Sequence, residues 1–334
     1  MAEKKKDWIV GITDKIVPPP EIENTAFPEA DIRILPDWRD SKDNIAQWKE
    51  VDALLAWHYL VDPSTVQLLD QCRIVVRYGV GYDKVNIKAL SERKIPFCNT
   101  PDYGTEEVAD TACAMILNLH RKIASHDRAC RYFKSGWQDN VLAPIQRSSD
   151  TTVGIIGVGR IGTSVINRLK AFGFKIFGYD PYQPSGHEKA IGYIRTGSVE
   201  ELLQKSQFVS LHCPLTDETR GMVDREFLNR MRSGSSLVNT ARGGIISDLS
   251  LLEDALRSEH LASAALDVLP DEPPKDDSLI QAWRQDEPWI RGRLLINPHT
   301  AFYSEKAWYE MRYKTAETAR LYLLEGKLRN RITE

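Results

Sequence analysis

Short apolar runs alternate with polar, helix-like stretches along the first hundred residues. The apolar runs that fit strands span residues 8–13, 31–35, 53–58, 74–80 and 96–99. The stretches between them that fit helices span residues 44–50, 63–71 and 86–94. This alternation predicts an α/β domain with a mainly parallel sheet.

The chain changes character over residues 106–134. This segment contains neither proline nor glycine, and apolar residues recur on one helix face at Val108, Ala112, Met115, Ile116 and Leu119. The pattern predicts one long connecting helix. A polar, loop-like stretch over residues 139–150 follows it.

A second alternation of apolar and helical segments begins at residue 152. Its candidate strands are 152–156, 175–179, 208–212, 236–240, 262–268 and 294–297. Its candidate helices are 161–172, 198–204, 225–231 and 249–257. A last helix over residues 304–325, with Gly326 as its C-cap, closes the chain. The pattern therefore predicts two α/β domains.

Composition narrows the function classes without selecting one. The 334 residues carry 44 Lys and Arg against 47 Asp and Glu, a net charge of -3, which argues against a protein that coats nucleic acid. The five cysteines form no CxxC pair, which favours reduced thiols over a disulfide framework or a zinc site. No apolar stretch approaches the roughly 20 residues of a membrane span, and no signal-peptide pattern opens the chain. We therefore expect a cytoplasmic protein with no bound metal.

A glycine-rich turn follows the first strand of the second alternation. In a dinucleotide-binding turn of this spacing, Gly157 permits the tight turn, Gly159 admits a pyrophosphate and Gly162 allows close packing of helix on strand. Asp180 ends the next strand, where an acidic residue accepts hydrogen bonds from ribose hydroxyls. Pro181 follows it, with no arginine to receive a 2′-phosphate. The pattern favours NAD over NADP, and the alternative is a turn required only for packing.

Three ionisable residues follow later strands of the same alternation. Arg242 comes after strand 236–240, Glu272 lies past the next candidate strand and His299 lies past the last. Each residue taken alone fits a surface charge or a structural histidine. Ligands of open α/β sheets bind outside the carboxyl ends of the strands, so the joint placement of the three indicates a catalytic site.

Four motifs carry a resemblance to the D-isomer-specific 2-hydroxyacid dehydrogenases, which covers nearly the whole chain. They are VGIIGVGRIG at 153–162, LHCPLTDET at 211–219, LVNTARGG at 237–244 and ALDV at 265–268. Within the family the chain is most similar to the C-terminal-binding-protein branch, through VRYGVGYD at 76–83 and NPHTAFYSE at 297–305. That branch usually has a tryptophan where this chain has Phe302, so its substrate preference does not carry over.

The resemblance implies a fold and a reaction. The expected fold is a Rossmann NAD-binding domain over residues 102–301, inserted into a flavodoxin-like substrate domain of residues 1–101 and 302–334. Both are expected to be doubly wound α/β domains with parallel sheets, with catalysis in the cleft and a homodimer as the assembly. The implied reaction is the NAD(H)-dependent interconversion of a 2-oxo acid and a D-2-hydroxy acid.

The resemblance also implies roles for individual residues. In reduction, protonated His299 would give a proton to the developing alkoxide, and Glu272 would orient its ring and stabilise the charged form. Arg242 would bind the substrate and stabilise negative charge. The cofactor-binding set is Gly157, Gly159, Arg160, Ile161, Gly162, Asp180, Pro181, Cys213, Pro214, Thr219, Thr240, Ala241, Asp267 and Thr111. The substrate-binding set is His58, Arg77, Val80, Gly81 and Phe302.

Some of these roles have equally good alternatives. Asp267 would hold the nicotinamide carboxamide, and the N–H groups of Val80 and Gly81 would bind the substrate carboxylate. Cys213 and Thr240 would line the cofactor cleft mainly through backbone contacts, and the Cys213 side chain fits a structural role at least as well as a functional one. His58 fits a satisfied structural histidine as well as a substrate contact. Arg77 fits a local ion pair as well as a contact with an acidic or strongly polar substrate.

Two other functions remain open. One is an NAD(H)-sensing, peptide-binding oligomer of the corepressor type with weak dehydrogenase activity. The other is an enzyme of the same fold that acts on formate or phosphite. The complete Arg–Glu–His set favours an enzyme, and the pairing of Glu272 with His299 suits proton delivery to an alkoxide, which argues for an oxo acid.

Overall fold

The computed structural model describes residues 7–14, 16, 18–131, 137–138, 142 and 144–333. The chain divides into two compact units. One, which we name the split unit, combines Met1–Gly104 with Ser304–Glu334, and the other, the central unit, is Thr105–Tyr303. The boundaries drawn from the sequence, 101/102 and 301/302, lie a few residues away.

The first part of the split unit alternates strands with helices. Its elements are β1 (Trp8–Ile12), α1 (Glu21–Ala26), β2 (Ala30–Ile34), α2 (Lys42–Lys49), β3 (Ala53–Ala56), α3 (Pro63–Gln67), β4 (Ile74–Arg77), α4 (Ile87–Glu92) and β5 (Phe97–Asn99).

The central unit begins with two helices and then alternates in the same way. Its elements are α5 (Thr105–Arg121), α6 (Ile123–Cys130), β6 (Thr152–Ile156), α7 (Arg160–Ala171), β7 (Lys175–Tyr179), α8 (His187–Ile191), β8 (Ile194–Arg195), α9 (Val199–Lys205), β9 (Phe208–Leu211), α10 (Arg225–Arg230), β10 (Ser235–Asn239), α11 (Leu249–Arg257), β11 (Leu261–Leu266), α12 (Ser278–Arg284) and β12 (Leu294–Ile296).

The chain then returns to the split unit with α13 (Glu305–Glu325) and β13 (Arg331–Ile332). Gly326 caps α13 at a φ of 68°, as predicted. Met311, Ala316 and Ala319 of α13 are buried in one core cluster with Val10 and Val76 of the sheet. The C-terminal helix is therefore part of the split unit's core.

Each unit contains one sheet. The split unit's sheet has the order β13-β5-β4-β3-β1-β2, in which β1 to β5 are parallel and β13 pairs antiparallel with β5. This is the flavodoxin-like order. The central unit's sheet is parallel throughout, in the Rossmann order β12-β11-β10-β9-β6-β7-β8. The predicted fold class is confirmed.

The prediction of one helix over residues 106–134 is wrong. Helix α5 ends at Arg121, Lys122 adopts a left-handed φ of 52°, and α6 begins at Ile123. The Asn118 side chain accepts a hydrogen bond of 3.0 Å from the Ala124 N–H, which occupies a group that a continuous helix would pair with a carbonyl. Residues 132–134, and 139–141 and 143 of the predicted loop, lie outside the described residues.

The long helices of the chain pack on the two sheets and carry charged residues. Within the described residues, no helix is both long enough and apolar enough to cross a lipid bilayer.

Candidate active site

Three neighbouring strands of the central unit end at the same edge of its sheet. Strands β10, β11 and β12 are adjacent and parallel, so their carboxyl ends lie side by side. The segments that leave them carry Arg242, Glu272 and His299. The topology therefore brings the three residues to one edge, which is where ligands bind in open α/β sheets.

Glu272 orients the ring of His299. Its Oε2 atom lies 2.8 Å from His299 Nδ1, and its Oε1 atom accepts a hydrogen bond of 3.0 Å from the Leu269 N–H. Because a carboxylate only accepts hydrogen bonds, Nδ1 is the donor and Nε2 is the nitrogen that can exchange a proton with a ligand.

The environment of Glu272 favours its charged form. Burial acts to raise the pKa of Glu272, but the hydrogen bond and charge of His299 and the Leu269 N–H hold that pKa below its ordinary value. The charge of Arg242 lowers it further, so Arg242 acts electrostatically on the same carboxylate.

Asp267 supports the strained segment that carries His299. The φ of His299 is 55°, in the left-handed region that a non-glycine residue enters at a cost of about 1–3 kcal/mol. The Asp267 carbonyl accepts the His299 N–H at 2.8 Å, and its carboxylate accepts those of Thr300 and Ala301, both at 3.0 Å. Burial raises the pKa of Asp267, although these N–H groups oppose the rise. Contact of this carboxylate with a nicotinamide carboxamide stays a prediction.

Asn239 shapes the turn before Arg242. Its side-chain nitrogen donates to the Arg242 carbonyl at 2.9 Å, and its side-chain oxygen accepts the Ala241 N–H at 3.0 Å. The Arg242 guanidinium donates to the Ala241 carbonyl at 2.7 Å. Asn239 was not among the predicted site residues, although an asparagine three residues before the arginine is a turn signal.

A glycine lets the Arg242 segment touch the Glu272 segment. A Cβ atom at Gly243 would lie 1.8 Å from the carbonyl oxygen of Leu269, which is the residue whose N–H binds Glu272. No side chain fits in that space. The segments that carry Arg242 and Glu272 are therefore in direct backbone contact.

Phe302 packs beside His299. Its ring meets the His299 ring edge-on, with 6.3 Å between centroids and 83° between planes. Tyr303 meets Phe302 in the same way, at 6.5 Å. An apolar wall thus stands next to the His299 ring.

The glycines of the dinucleotide turn differ in their surroundings, as the sequence predicts. Gly157 has a φ of 89°, and a Cβ there would lie 2.5 Å from the Cys213 nitrogen. A Cβ at Gly162 would lie 2.1 Å from the Gly157 oxygen. A Cβ at Gly159 would meet nothing within 4 Å. Backbone atoms therefore crowd the turn at Gly157 and Gly162, whereas the space beside Gly159 is open.

Helix α7 begins at this open position. Gly159 is its N-cap and provides no side-chain cap, so the first N–H groups of the helix, at Arg160 and Ile161, face outward with the positive end of the helix dipole. An open backbone surface at the start of a helix fits a pyrophosphate. The residues present fit a dinucleotide cofactor.

Asp180 and Arg195 organise the loop after β7. The Asp180 carboxylate accepts the N–H groups of Val158, at 2.8 Å, and Tyr182, at 3.0 Å. Arg195 donates to the carbonyls of Asp180, at 3.2 Å, and Pro184, at 3.3 Å. Arg195 was not among the predicted residues, because it does not follow Asp180 directly and lies 15 positions further along the chain. The carbonyls of Asp180 and Pro184 hold the Arg195 guanidinium within the loop. Pro181 is exposed to solvent.

The segment after β9 holds the next predicted cofactor residues. Burial raises the pKa of the Cys213 thiol to about 11, which makes it an unreactive packing group beside Gly157. The Thr219 hydroxyl donates to the Pro214 carbonyl at 2.6 Å and accepts the Thr216 N–H at 2.9 Å. The Thr219 side chain therefore shapes this loop.

Two threonines lie near the segments that carry Arg242 and His299. The Thr111 hydroxyl donates to the Ala301 carbonyl at 3.4 Å. The Thr240 hydroxyl, at the end of β10, is buried and has no hydrogen-bond partner among the described residues. A buried polar atom of this kind fits a site that a ligand completes.

The split unit carries four of the five predicted substrate residues at the carboxyl edge of its own sheet, whereas Phe302, which was predicted to belong to the same domain, lies in the central unit. Asn99 donates from its side chain to the Val80 carbonyl at 2.7 Å, and the Thr100 N–H donates to the Gly79 carbonyl at 3.1 Å. Within the described part of the chain, the N–H groups of Val80 and Gly81 have no hydrogen-bond acceptor. The hydrogen bonds to the Gly79 and Val80 carbonyls therefore fix this turn. The N–H groups of Val80 and Gly81 can donate to a ligand.

Arg77 and His58 both have local partners. The Arg77 guanidinium donates to the Tyr78 carbonyl. His58 is largely exposed, with Nδ1 3.4 Å from the Asp14 carboxylate, which also accepts the N–H groups of Trp57 and His58 at 2.7 and 2.6 Å. Burial raises the pKa of Asp14, but hydrogen bonds from His58, Thr13 and Trp57 bring it below its ordinary value. Asp14, which the sequence analysis missed, fixes the His58 segment.

Comparison with known proteins shows which family the chain resembles. Residues 113–301 match the family model described as D-isomer specific 2-hydroxyacid dehydrogenase, NAD binding domain. The chain is 35% identical over 291 residues to a glyoxylate reductase of Korarchaeum cryptofilum. The aligned region covers 84% of this chain and 83% of that protein.

Two further similarities are informative. The chain is 36% identical over 220 residues to a D-3-phosphoglycerate dehydrogenase of Methanocaldococcus jannaschii, but this covers 66% of this chain and only 41% of that protein. The crystal structure of a glyoxylate reductase from Paecilomyes thermophila superposes with a TM-score of 0.84, at 24% identity, over 97% of this chain and 98% of that one. At that identity the likeness shows the fold alone.

Proposed function

Since the chain belongs to the D-isomer specific 2-hydroxyacid dehydrogenase family, we propose that it reduces a small 2-oxo acid to the D-2-hydroxy acid with NADH. NAD is the cofactor, and the family reaction interconverts 2-oxo and 2-hydroxy acids. The observation that carries the residue assignment is the 2.8 Å contact between His299 and Glu272 at the sheet edge that also holds Arg242. The cofactor supplies the hydride that the substrate carbonyl carbon accepts.

His299 is the proposed acid. Its Nδ1 is held by Glu272, so Nε2 carries the proton that neutralises the developing alkoxide oxygen. The negative Glu272 stabilises the imidazolium that must exist before the transfer. In the reverse reaction the same nitrogen accepts the hydroxyl proton.

Arg242 is the proposed electrostatic group. A guanidinium offers several N–H donors in a rigid fork that suits a carboxylate or a developing alkoxide. Asn239 and the contact of Gly243 with Leu269 fix its segment beforehand, so little reorganisation is needed during the reaction.

The split unit is the proposed substrate domain. The N–H groups of Val80 and Gly81 bind the substrate carboxylate, and the positive Arg77 next to them adds attraction for an anion. His58 is a substrate contact oriented by Asp14. The central unit is the NAD-binding domain, with the pyrophosphate at Gly159 and the adenosine ribose at Asp180.

We propose glyoxylate as the first substrate to test. The relative that matches over most of both chains is named a glyoxylate reductase, whereas the phosphoglycerate dehydrogenase matches over less than half of its length. Phe302 beside His299 supplies an apolar wall that suits a short, uncharged substrate end.

The test is NADH oxidation with a panel of 2-oxo acids: glyoxylate, pyruvate and larger members. We expect turnover with glyoxylate above all. Glycolate is achiral, so the D configuration is read from the lactate formed from pyruvate. An absence of NADH oxidation with every oxo acid would overturn the proposal.

The resemblance to the C-terminal-binding-protein branch, through residues 76–83 and 297–305, supports one alternative: an NAD(H)-sensing oligomer with weak activity. The same samples decide between the two when their mass is measured by light scattering with and without NADH. A homodimer that turns over oxo acids supports the enzyme. Assembly driven by NADH without turnover supports the sensor.

A further inference from the structure

A buried ion pair joins two helices of the split unit. Arg312 of α13 donates from Nε to Glu23 Oε1 at 2.7 Å and from a terminal nitrogen to Oε2 at 2.5 Å. The Glu23 side chain is fully buried, and that of Arg312 is 11% exposed. A buried ion pair often adds no more stability than apolar side chains of the same size would, so stability by itself is a weak explanation for this pair.

One end of this pair reaches the proposed carboxylate-binding turn. The Tyr78 hydroxyl donates to Glu23 Oε1 at 3.1 Å, and Tyr78 stands between β4 and Gly79. Burial and the nearby Glu23 carboxylate raise the pKa of Tyr78 well above its ordinary value, so the hydroxyl keeps its proton and stays a donor. The backbone that leads into Val80 and Gly81 is therefore anchored to Glu23.

The other end reaches the segment of His58. The Arg312 guanidinium carbon lies 5.9 Å from the centroid of the Trp308 ring. The Trp308 ring lies 4.9 Å from that of Trp57, and the Trp57 ring lies 3.9 Å from that of His58. A continuous set of contacts therefore runs from the ion pair to this second segment.

We propose that the Glu23–Arg312 pair positions both substrate-facing segments of the split unit, one through Tyr78 and the other through Trp308 and Trp57. The inference rests on the proposed function, because it takes Val80 and Gly81 as the substrate carboxylate site. It adds Glu23, Arg312 and Tyr78 as positioning residues that do not touch the substrate themselves.

Two conservative substitutions test the proposal. Tyr78→Phe removes one hydroxyl without changing the packed volume, and Arg312→Lys keeps the charge but loses the two-pronged geometry. We expect each variant to raise the KM for glyoxylate about five-fold, the loss of roughly one hydrogen bond. The kcat and the Kd for NADH should stay near those of the parent, because the catalytic residues and the dinucleotide turn belong to the central unit.

The chain offers a matched control. Arg320 of α13 makes a similar two-pronged pair with Glu29, with both contacts at 2.9 Å, but the two side chains are 32% and 38% exposed. Arg320→Lys should leave the KM unchanged. Thermal melting and circular dichroism establish that all three variants are folded.

The outcomes are distinct. If Tyr78→Phe and Arg312→Lys have the same KM as Arg320→Lys, the inference is overturned. A lower melting temperature with an unchanged KM would show that the ion pair has only a structural role. Binding of oxalate in the presence of NADH, measured by calorimetry, gives the same comparison without turnover. If the parent protein reduces no oxo acid, the proposed function fails, whereas the oxalate Kd values still decide the positioning role.

Discussion

The Nδ1 atom of His299 and the Oε2 atom of Glu272 lie 2.8 Å apart, although 27 positions separate the two residues in the chain. The contact forms because β11 and β12 are neighbours in the sheet and both residues follow their carboxyl ends. A second backbone contact, between Gly243 and Leu269, joins the Arg242 segment to the same place. One sheet edge therefore brings His299, Glu272 and Arg242 together.

Replacement of His299 should abolish most of the chemistry but not cofactor binding. General acid catalysis is typically worth about 10²–10⁴ in rate, so His299→Ala should lower the turnover of glyoxylate by that factor. Stopped-flow kinetics measure the turnover, and NADH fluorescence measures binding. His260→Gln, which changes a histidine bonded to the Leu228 carbonyl, is the control and should keep full activity. Undiminished turnover in His299→Ala would contradict its role as acid.

Replacement of Glu272 should change the pH profile. The pKa of Glu272 lies below its ordinary value of 4.5, so its carboxylate stays charged above that pH and takes up a proton only as the pH falls further. In Glu272→Gln the amide no longer stabilises the imidazolium. The basic limb of the reduction profile should therefore move to lower pH, while Asp271→Asn, a surface neighbour paired with Lys275, should leave the profile in place. Superimposable profiles for the parent and Glu272→Gln would argue against the pair.

Gly243→Ala should separate two catalytic segments. The new methyl group would lie 1.8 Å from the Leu269 carbonyl oxygen, so the backbone has to move. We expect a kcat at least about ten-fold lower, since small displacements of catalytic groups are costly. At Gly244 a Cβ would lie 3.0 Å from a methyl group of Leu215, a side chain that can rotate away. The assay of the two alanine variants side by side is the test, and equal kcat values would show that the contact does not matter.

Gly159→Ala should lower cofactor affinity without loss of stability. The added Cβ meets nothing within 4 Å in the protein, but it projects where the pyrophosphate is proposed to bind. We expect an unchanged melting temperature and a Kd for NADH at least about ten-fold higher, equal to about 1.4 kcal/mol. Gly157→Ala, with a φ of 89° and a contact of 2.5 Å, should instead lose stability. Unaltered NADH binding by Gly159→Ala would place the pyrophosphate elsewhere.

His212 should make the protein sensitive to acid. Burial lowers the pKa of His212 from 6.5 to about 4, so the unfolded chain takes up a proton between these values and the folded protein does not. Stability should therefore fall as the pH drops through this window, by at most about 3 kcal/mol. Denaturant unfolding at the two ends of the window should show a smaller fall for His212→Asn than for the parent. Equal falls in the two proteins would assign the acid sensitivity to other groups.

Local patterns predicted most of the fold and the candidate residues. Alternating apolar runs marked the two α/β units, and the glycine spacing marked the turn that opens at Gly159. Arg242, Glu272 and His299 were found because each follows a strand. The short elements α1, α8, α12, β8 and β13 were missed, since a few residues carry too little periodicity to be recognised.

The sequence by itself determined which segments become strands and helices and which residues stand at their ends, because hydrophobic period and turn chemistry act over a few neighbouring residues. Only the tertiary structure decided the partners: Asp14 with the N–H groups of Trp57 and His58, and Glu23 with Arg312, 289 positions away. Such pairs depend on strand order and on helix packing against the sheet. No single stretch of sequence carries that information, since a buried carboxylate is compatible with many donors and the fold selects one.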